Sequence, residues 1–318
     1  MINNKGLITT FILAVLSTLY LGSVWNDFFG TLSVNVSMDR QQAVKAASDA
    51  SKQFTILDDS FEQASIYNFD DSLRNFVELK QGGKEKFQEI IDNDVYSPYN
   101  WMVRSYKEGE IIEAMFQFKP DGSPNGYRIK IPEDYDSDSL DEEDALALVE
   151  QNINNQWSGN FSDYNLIESS FKEMPNGRVD HSFLFEHNLK DIGEAKYRLR
   201  ATVSGSIINS VSPFAFVPES FQREFANIRS DNDTIAIFAN FAFLGIYLLG
   251  IGVTSLIIFY RNGWLRWKKS VLAAAFVALF SNILLNLNFY PTFWMAYDTA
   301  SSKSQFLTEQ LLGMVANG

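Results

Sequence analysis

Residues 234–260, TIAIFANFAFLGIYLLGIGVTSLIIFY, contain no charged side chain. A hydrocarbon core about 30 Å thick needs roughly 20 such residues in a helix, so this run reads as a membrane span. Residues 7–25 (LITTFILAVLSTLYLGSVW) and 270–297 (SVLAAAFVALFSNILLNLNFYPTFWMAY) are equally free of charge. The three runs predict three transmembrane helices. A cleaved signal peptide is the alternative for the first, since Lys5 precedes it. Its apolar stretch exceeds the usual 7–15 residues and no A-x-A-like site follows, so an uncleaved signal anchor is expected.

Charge sets the orientation. The segment 261–270 carries Arg261, Arg266, Lys268 and Lys269 and no acid, which places it on the cytoplasmic side. Lys5 places the N-terminus there too. Residues 26–233 then lie outside, on the periplasmic or cell-surface side of a bacterial-type inner membrane. That segment holds 37 of the 39 acids and 20 of the 26 bases, a net −17 within a chain of −13. So acidic a body excludes a nucleic-acid partner, because phosphate contacts need a cationic surface. With no cysteine and two histidines, disulfides, thiol nucleophiles and Cys- or His-rich metal centres are excluded as well.

The outer segment reads as two helix-plus-strand units. Asp39 and Gln42 are spaced as a capping box ahead of a helix over 40–54 with Ala43, Val44, Ala47, Ala50 and Phe54 on one stripe. Short helices are expected around 61–79 and 84–91, then strands at 101–106, 111–119 and 127–131, with Pro120-Asp-Gly122 as a turn. Ser139 and Glu142 begin a second helix, 141–157, followed by strands at 164–172, 178–187, 195–203 and 207–216. Alternation is clearest where Tyr197, Leu199, Ala201 and Val203 point one way while Arg198, Arg200 and Thr202 point the other. A further short helix is expected at 220–228.

The expected fold is therefore α+β: two tandem units, each a helix on an antiparallel sheet, combined with three transmembrane helices. The units resemble small PepSY-type modules. The implied boundaries are 1–29 (signal anchor), 30–135 and 136–230 (the two units), 231–261 (second span), 262–269 (basic cytoplasmic loop), 270–297 (third span) and 298–318. The last stretch reads as the start of a further helix, as in a truncated chain.

Few residues offer chemistry. His181 and His187 share a strand face, but six residues of strand separate them by about 20 Å, so they cannot ligate one ion. Arg178, Asp180 and Glu186 are expected to form a structural ionic cluster instead. Asp134, Asp136 and Asp138 lack the central Gly and terminal Glu of a calcium loop. They read as a solvated linker feeding a helix N-terminus. In the third span, Asn282 and Asn286 lie one helical turn apart and are expected to contact other membrane helices. No G-x-S-x-G, G-x-x-x-x-G-K-[ST] or H-E-x-x-H is present. No catalytic, cofactor-binding or metal residue is assigned.

Four phrases carry a family resemblance: Pro98-Tyr-Asn-Trp101-Met-Val-Arg104; Pro120-Asp-Gly122 with Gly126-Tyr127 and Pro132-Glu133; Gly177-Arg178-Val-Asp180-His181-Ser-Phe183-Leu-Phe-Glu186; and Val217-Pro218-Glu219-Ser-Phe-Gln-Arg223. Residues 36–225 resemble the N-terminal extracytoplasmic half of long bacterial members of the CAAX-protease and bacteriocin-processing (CPBP) intramembrane protease family. The resemblance implies peptide-bond cleavage at the bilayer by a Glu-Glu-x-x-x-Arg helix and two His-containing helices. Those motifs are absent here, since Glu142-Glu143 has no matching Arg. The expected function is thus the leading portion of an intramembrane peptidase whose outer domain gates or presents a peptide or protein substrate. Its partners would be the lipid bilayer and further membrane helices. The alternatives are a non-catalytic membrane-anchored sensor, its acidic domain meeting a cationic ligand or partner protein, and an accessory subunit of a transporter.

Overall fold

A computed structural model describes residues 4–28, 34–155, 160–264 and 266–317. The helices are α1 (Asn4–Phe28), α2 (Arg40–Ser51), α3 (Asp71–Lys80), α4 (Gly83–Asp92), α5 (Glu142–Asn155), α6 (Glu219–Phe243), α7 (Val253–Arg261), α8 (Trp267–Phe293) and α9 (Lys303–Asn317). The strands are β1 (Glu62–Phe69), β2 (Tyr99–Tyr106), β3 (Glu113–Phe118), β4 (Pro124–Lys130), β5 (Tyr164–Glu173), β6 (Val179–Ile192), β7 (Ala195–Ser204) and β8 (Ile207–Phe216). The expected end of the second helix at Trp157 lies outside the described residues.

All eight strands join one antiparallel sheet in the order β1-β2-β3-β4-β8-β7-β6-β5. Each half is a four-stranded meander preceded by a helix, and the halves meet at their last strands through Tyr127↔Val211 and Arg128↔Ser210. The protein is thus α+β, with the strands of both units in a single sheet. Gly126 is required at this seam, because a Cβ there would stand 2.6 Å from the Val211 carbonyl oxygen and 3.0 Å from Pro213 Cδ.

One face of the sheet carries the core. On α2, Ala43, Ala47 and Ala50 recur along one stripe and are buried, so the helix lies close on the strands. The anticipated capping box forms: the Asp39 carboxylate accepts from the Gln42 amide at 2.8 Å and the Gln42 side chain accepts from the Asp39 amide at 2.8 Å. Ala145, Val149 and Ile153 of α5 cover the second half. Both helices pack into one continuous cluster that includes Val103, Phe116, Tyr127, Phe183, Leu199 and Val211. In the β3–β4 turn Gly122 has φ +91°, the left-handed conformation that glycine alone adopts cheaply.

One element was misread. The stretch around 61–79, expected as a short helix, is strand β1 followed by α3. Both faces of β1 are covered, so it lacks the polar/apolar alternation that marks a half-buried strand. Ala64 packs on Tyr106 and Tyr297 on one side. Tyr67 meets Trp101 at 5.1 Å on the other. The expected helix at 220–228 is the beginning of α6, which continues through a π-helical segment, Leu244–Gly252, into α7.

Among the described residues, one helix is long and apolar enough to cross a membrane, Glu219–Arg261, and none of its apolar window is buried in the protein. Phe11–Val24 is a shorter apolar helical stretch. The 27-residue α8 runs through the third apolar run.

Candidate functional site on the second face of the sheet

The face opposite the core divides into a covered half and an open half. A single row of residues crosses it from edge to edge, one per strand. Ala64, Arg104 and Met115 occupy the covered part. Arg128, Ser210, Thr202, Ser182 and Ser170 continue it across the open part.

The covered part is closed by the chain that follows α8. Trp294–Ala296 form a 3₁₀ turn, and Tyr297 and Phe306 pack with Ala64 and Tyr106 in a second, smaller apolar cluster. Arg104 organises this junction. Its Nε donates to Glu113 Oε2 at 2.7 Å, and its Nη2 lies 2.6 Å from the same oxygen. Its Nη1 donates to the carbonyl oxygens of Trp294 (3.2 Å), Met295 (3.1 Å) and Tyr297 (2.6 Å). These carbonyls lie just beyond Phe293, the last residue of α8, in the 3₁₀ turn and the residue after it, so the guanidinium from β2 caps the turn that follows the helix. The guanidinium carbon also stands 5.0 Å from the Tyr106 ring centre. Arg104 is 7% exposed, so its ion pair and its hydrogen bonds must together offset a desolvation cost of several kcal/mol per ion.

Around this clamp the β2–β3 loop is stitched to the same segment. The Gly109 amide donates to Thr299 O at 2.8 Å. The Thr299 hydroxyl donates to Glu110 O at 2.8 Å. Lys303 pairs with Glu62 on the edge strand. The Tyr297 hydroxyl closes the turn by donating to Ser301 O at 2.6 Å.

The open part is a cleft of about 560 Å³. Ser182, Thr202 and Ser210 line it, Arg128 and Arg200 reach over it, and Phe171 and Phe214 form its apolar rims.

The anticipated ionic residues do not form one cluster. Arg178 is buried and grips Asp180 with two bonds, Nε–Oδ1 at 2.8 Å and Nη2–Oδ2 at 3.2 Å. Its Nη1 donates to Pro132 O (3.0 Å) and Tyr135 O (2.7 Å), tying the linker between the halves to the sheet. Glu186 lies six residues on and pairs instead with Arg198 across the strand at 3.1 Å. His181 Nε2 lies 3.0 Å from Leu140 O. His187 Nδ1 accepts from the Leu189 and Lys190 amides at 3.1 and 3.3 Å. Burial pushes the His187 imidazole below its ordinary pKa, helped by repulsion from Lys190. Among the described residues no group of three His, Asp or Glu side chains could hold a metal ion. Asn282 is half-buried on α8, and the side chain of Asn286 lies outside the described residues.

Glu113 and Tyr297 were not named from the sequence, and Arg104 stood only within the phrase 98–104 that carries the family resemblance, with no role assigned. The one available signal was a lone arginine in the otherwise apolar and hydroxylic run 101–106. No known family model matches this chain, and neither a curated protein nor a solved structure matches it.

Proposed function

We propose that this chain is the extracytoplasmic and leading membrane portion of an intramembrane peptidase of the CPBP type, its outer domain gating or presenting substrate. The catalytic helices are supplied outside residues 1–318. The outer domain is a duplicated PepSY-like α+β pair, held by three spans at 7–25, 234–260 and 270–297. The clamp of Arg104 on the turn that follows α8 carries the reading, because it couples the state of the sheet to the position of the helix that turn ends.

Several features support this arrangement. The helix beginning with α6 starts directly after β8, and α8 ends against β1 and β2. Both helices therefore join the same sheet, and the basic segment between them, with Arg261, Arg266, Lys268 and Lys269, lies at their far ends. Trp264 and Trp267 are exposed there beside the cations, the pattern of an interfacial belt. From Trp267 to Trp294 the helix rises about 40 Å, enough to cross the hydrocarbon core and reach both interfaces. A non-catalytic sensor using the same coupling is the second reading, favoured by the open cleft on the outer domain.

Because the chain has no cysteine, single-cysteine labelling tests orientation cleanly. In intact spheroplasts, an impermeant maleimide should modify Asp136→Cys and spare Gly263→Cys; the reverse pattern would refute the arrangement. Gating is tested in membranes of the cell in which this chain occurs. There, Arg104→Gln should alter the turnover of a membrane-anchored reporter peptide. Unchanged turnover would leave the sensor reading in place of the peptidase.

A further inference from the structure

We propose that the open cleft on β4, β8, β7, β6 and β5 binds an acidic saccharide, a sugar bearing carboxylate or phosphate groups. The inference goes beyond the coupling described above and stands without it.

The first argument is charge. The outer segment is strongly acidic, yet Arg128 and Arg200 are exposed over this cleft, and among the described residues neither forms an ion pair. Two spacings between strands and two residues along β8 separate their Cα atoms by about 12 Å, close enough for both side chains to reach one bound molecule. The acid at the cleft, Asp180, is already neutralised by its two bonds to Arg178. A guanidinium fork without a carboxylate partner is the group that binds oxyanions in bidentate fashion.

The second argument is the floor. Ser170, Ser182 and Thr202 stand side by side in the cross-strand row, and among the described residues their hydroxyls have no protein partner. A hydroxyl both donates and accepts, which suits ligand hydroxyls of either polarity. Phe171 supplies apolar surface for the C–H face of a ring, while the Phe214 ring carries the Arg200 guanidinium at 5.5 Å and so helps to hold it over the cleft. Together these are the components a hydroxyl-rich acid needs.

The third argument separates a sugar from a peptide. The cleft floor is made largely of interior strands, whose backbone amides and carbonyls are spent on the sheet ladder. A peptide lying there gains no main-chain pairing, so recognition falls to side chains alone. That favours a ligand whose own polar groups lie around its periphery.

Isothermal titration of the full chain in detergent decides the matter, with an oligogalacturonate and glucose 6-phosphate as acidic sugars. Maltotriose, inorganic phosphate and poly-glutamate serve as comparisons. At least one acidic sugar should bind more tightly than all three comparisons. Its affinity should fall at least tenfold in Arg128→Gln/Arg200→Gln, whose thermal midpoint should match the parent because both side chains are exposed. The proposal is overturned if neither acidic sugar binds, or if the double variant binds as well. Equal affinity for poly-glutamate or phosphate also overturns it, since the cleft would then be an unspecific cationic patch.

Discussion

Arg104 Nη1 and the carbonyl oxygen of Tyr297 meet at 2.6 Å although 193 residues separate them in the chain. The bond joins the second strand of the sheet to the turn in which α8 ends.

Removing the guanidinium should therefore do two things. Arg104→Gln leaves Glu113 and the carbonyls of Met295 and Tyr297 without the guanidinium that binds them, and breaking a buried pair from one side costs about 3–5 kcal/mol. Denaturation in detergent, followed by tryptophan fluorescence, should show that loss. Hydrogen exchange over 294–301 should accelerate more than over β6 and β7. Uniform acceleration would mean that Arg104 holds the whole sheet rather than the junction.

The seam offers a sharper steric test. Gly126→Ala places a methyl 2.6 Å from the Val211 carbonyl oxygen, so β4 and β8 must separate. Overpacking of this kind costs about 1–3 kcal/mol. A fall in thermal midpoint is expected, whereas Gly109→Ala, with no atom within 4 Å of the added Cβ, should suffer only the strain of its positive φ.

Acid sensitivity should trace in part to His187. Its folded pKa lies below the ordinary 6.5 because burial disfavours the imidazolium and Lys190 repels it. The unfolded chain thus takes up the proton first, so this contribution is complete above pH 6.5 and is lost as pH falls below it. His187→Gln should flatten the stability curve between pH 5 and 7 relative to the parent. Parallel curves would assign the acid loss to carboxylates alone.

At the alkaline end the tyrosines should dominate. Burial pushes the phenols of Tyr67 and Tyr164 up to about 12, while unfolded tyrosine titrates near 10. Their contribution is complete below pH 10 and is lost as pH rises towards 12. Absorbance at about 295 nm should show delayed phenolate formation that appears together with loss of the sheet. Complete titration near pH 10 with the fold intact would contradict their burial.

Much of the fold could be read where one face of an element meets solvent. The Asp39–Gln42 capping box, the alanine stripe of α2 and the alternation of Tyr197 to Val203 are local patterns, and each element formed as expected. Strand β1 escaped because its two faces are both covered, which erases the period of two. The joining of both strand sets into one sheet was equally hidden, since it depends on two residue pairs 84 and 82 positions apart. The pairing of Glu186 with Arg198 follows from strand register and not from proximity along the chain. Arg104 was the least legible of all. Its partners are mostly backbone carbonyls, and a carbonyl leaves no mark on the sequence.

The short pairing between β4 and β8 also bears on how the protein forms. Apart from β1 and β2, which α3 and α4 separate, the strands within each meander follow one another closely along the chain, so most of the sheet closes through short loops that cost little entropy. Joining the two meanders pairs residues 82 and 84 positions apart, the longest separation in the sheet. Assembly should accordingly be limited by this late encounter, with either half present beforehand as a loosely ordered intermediate.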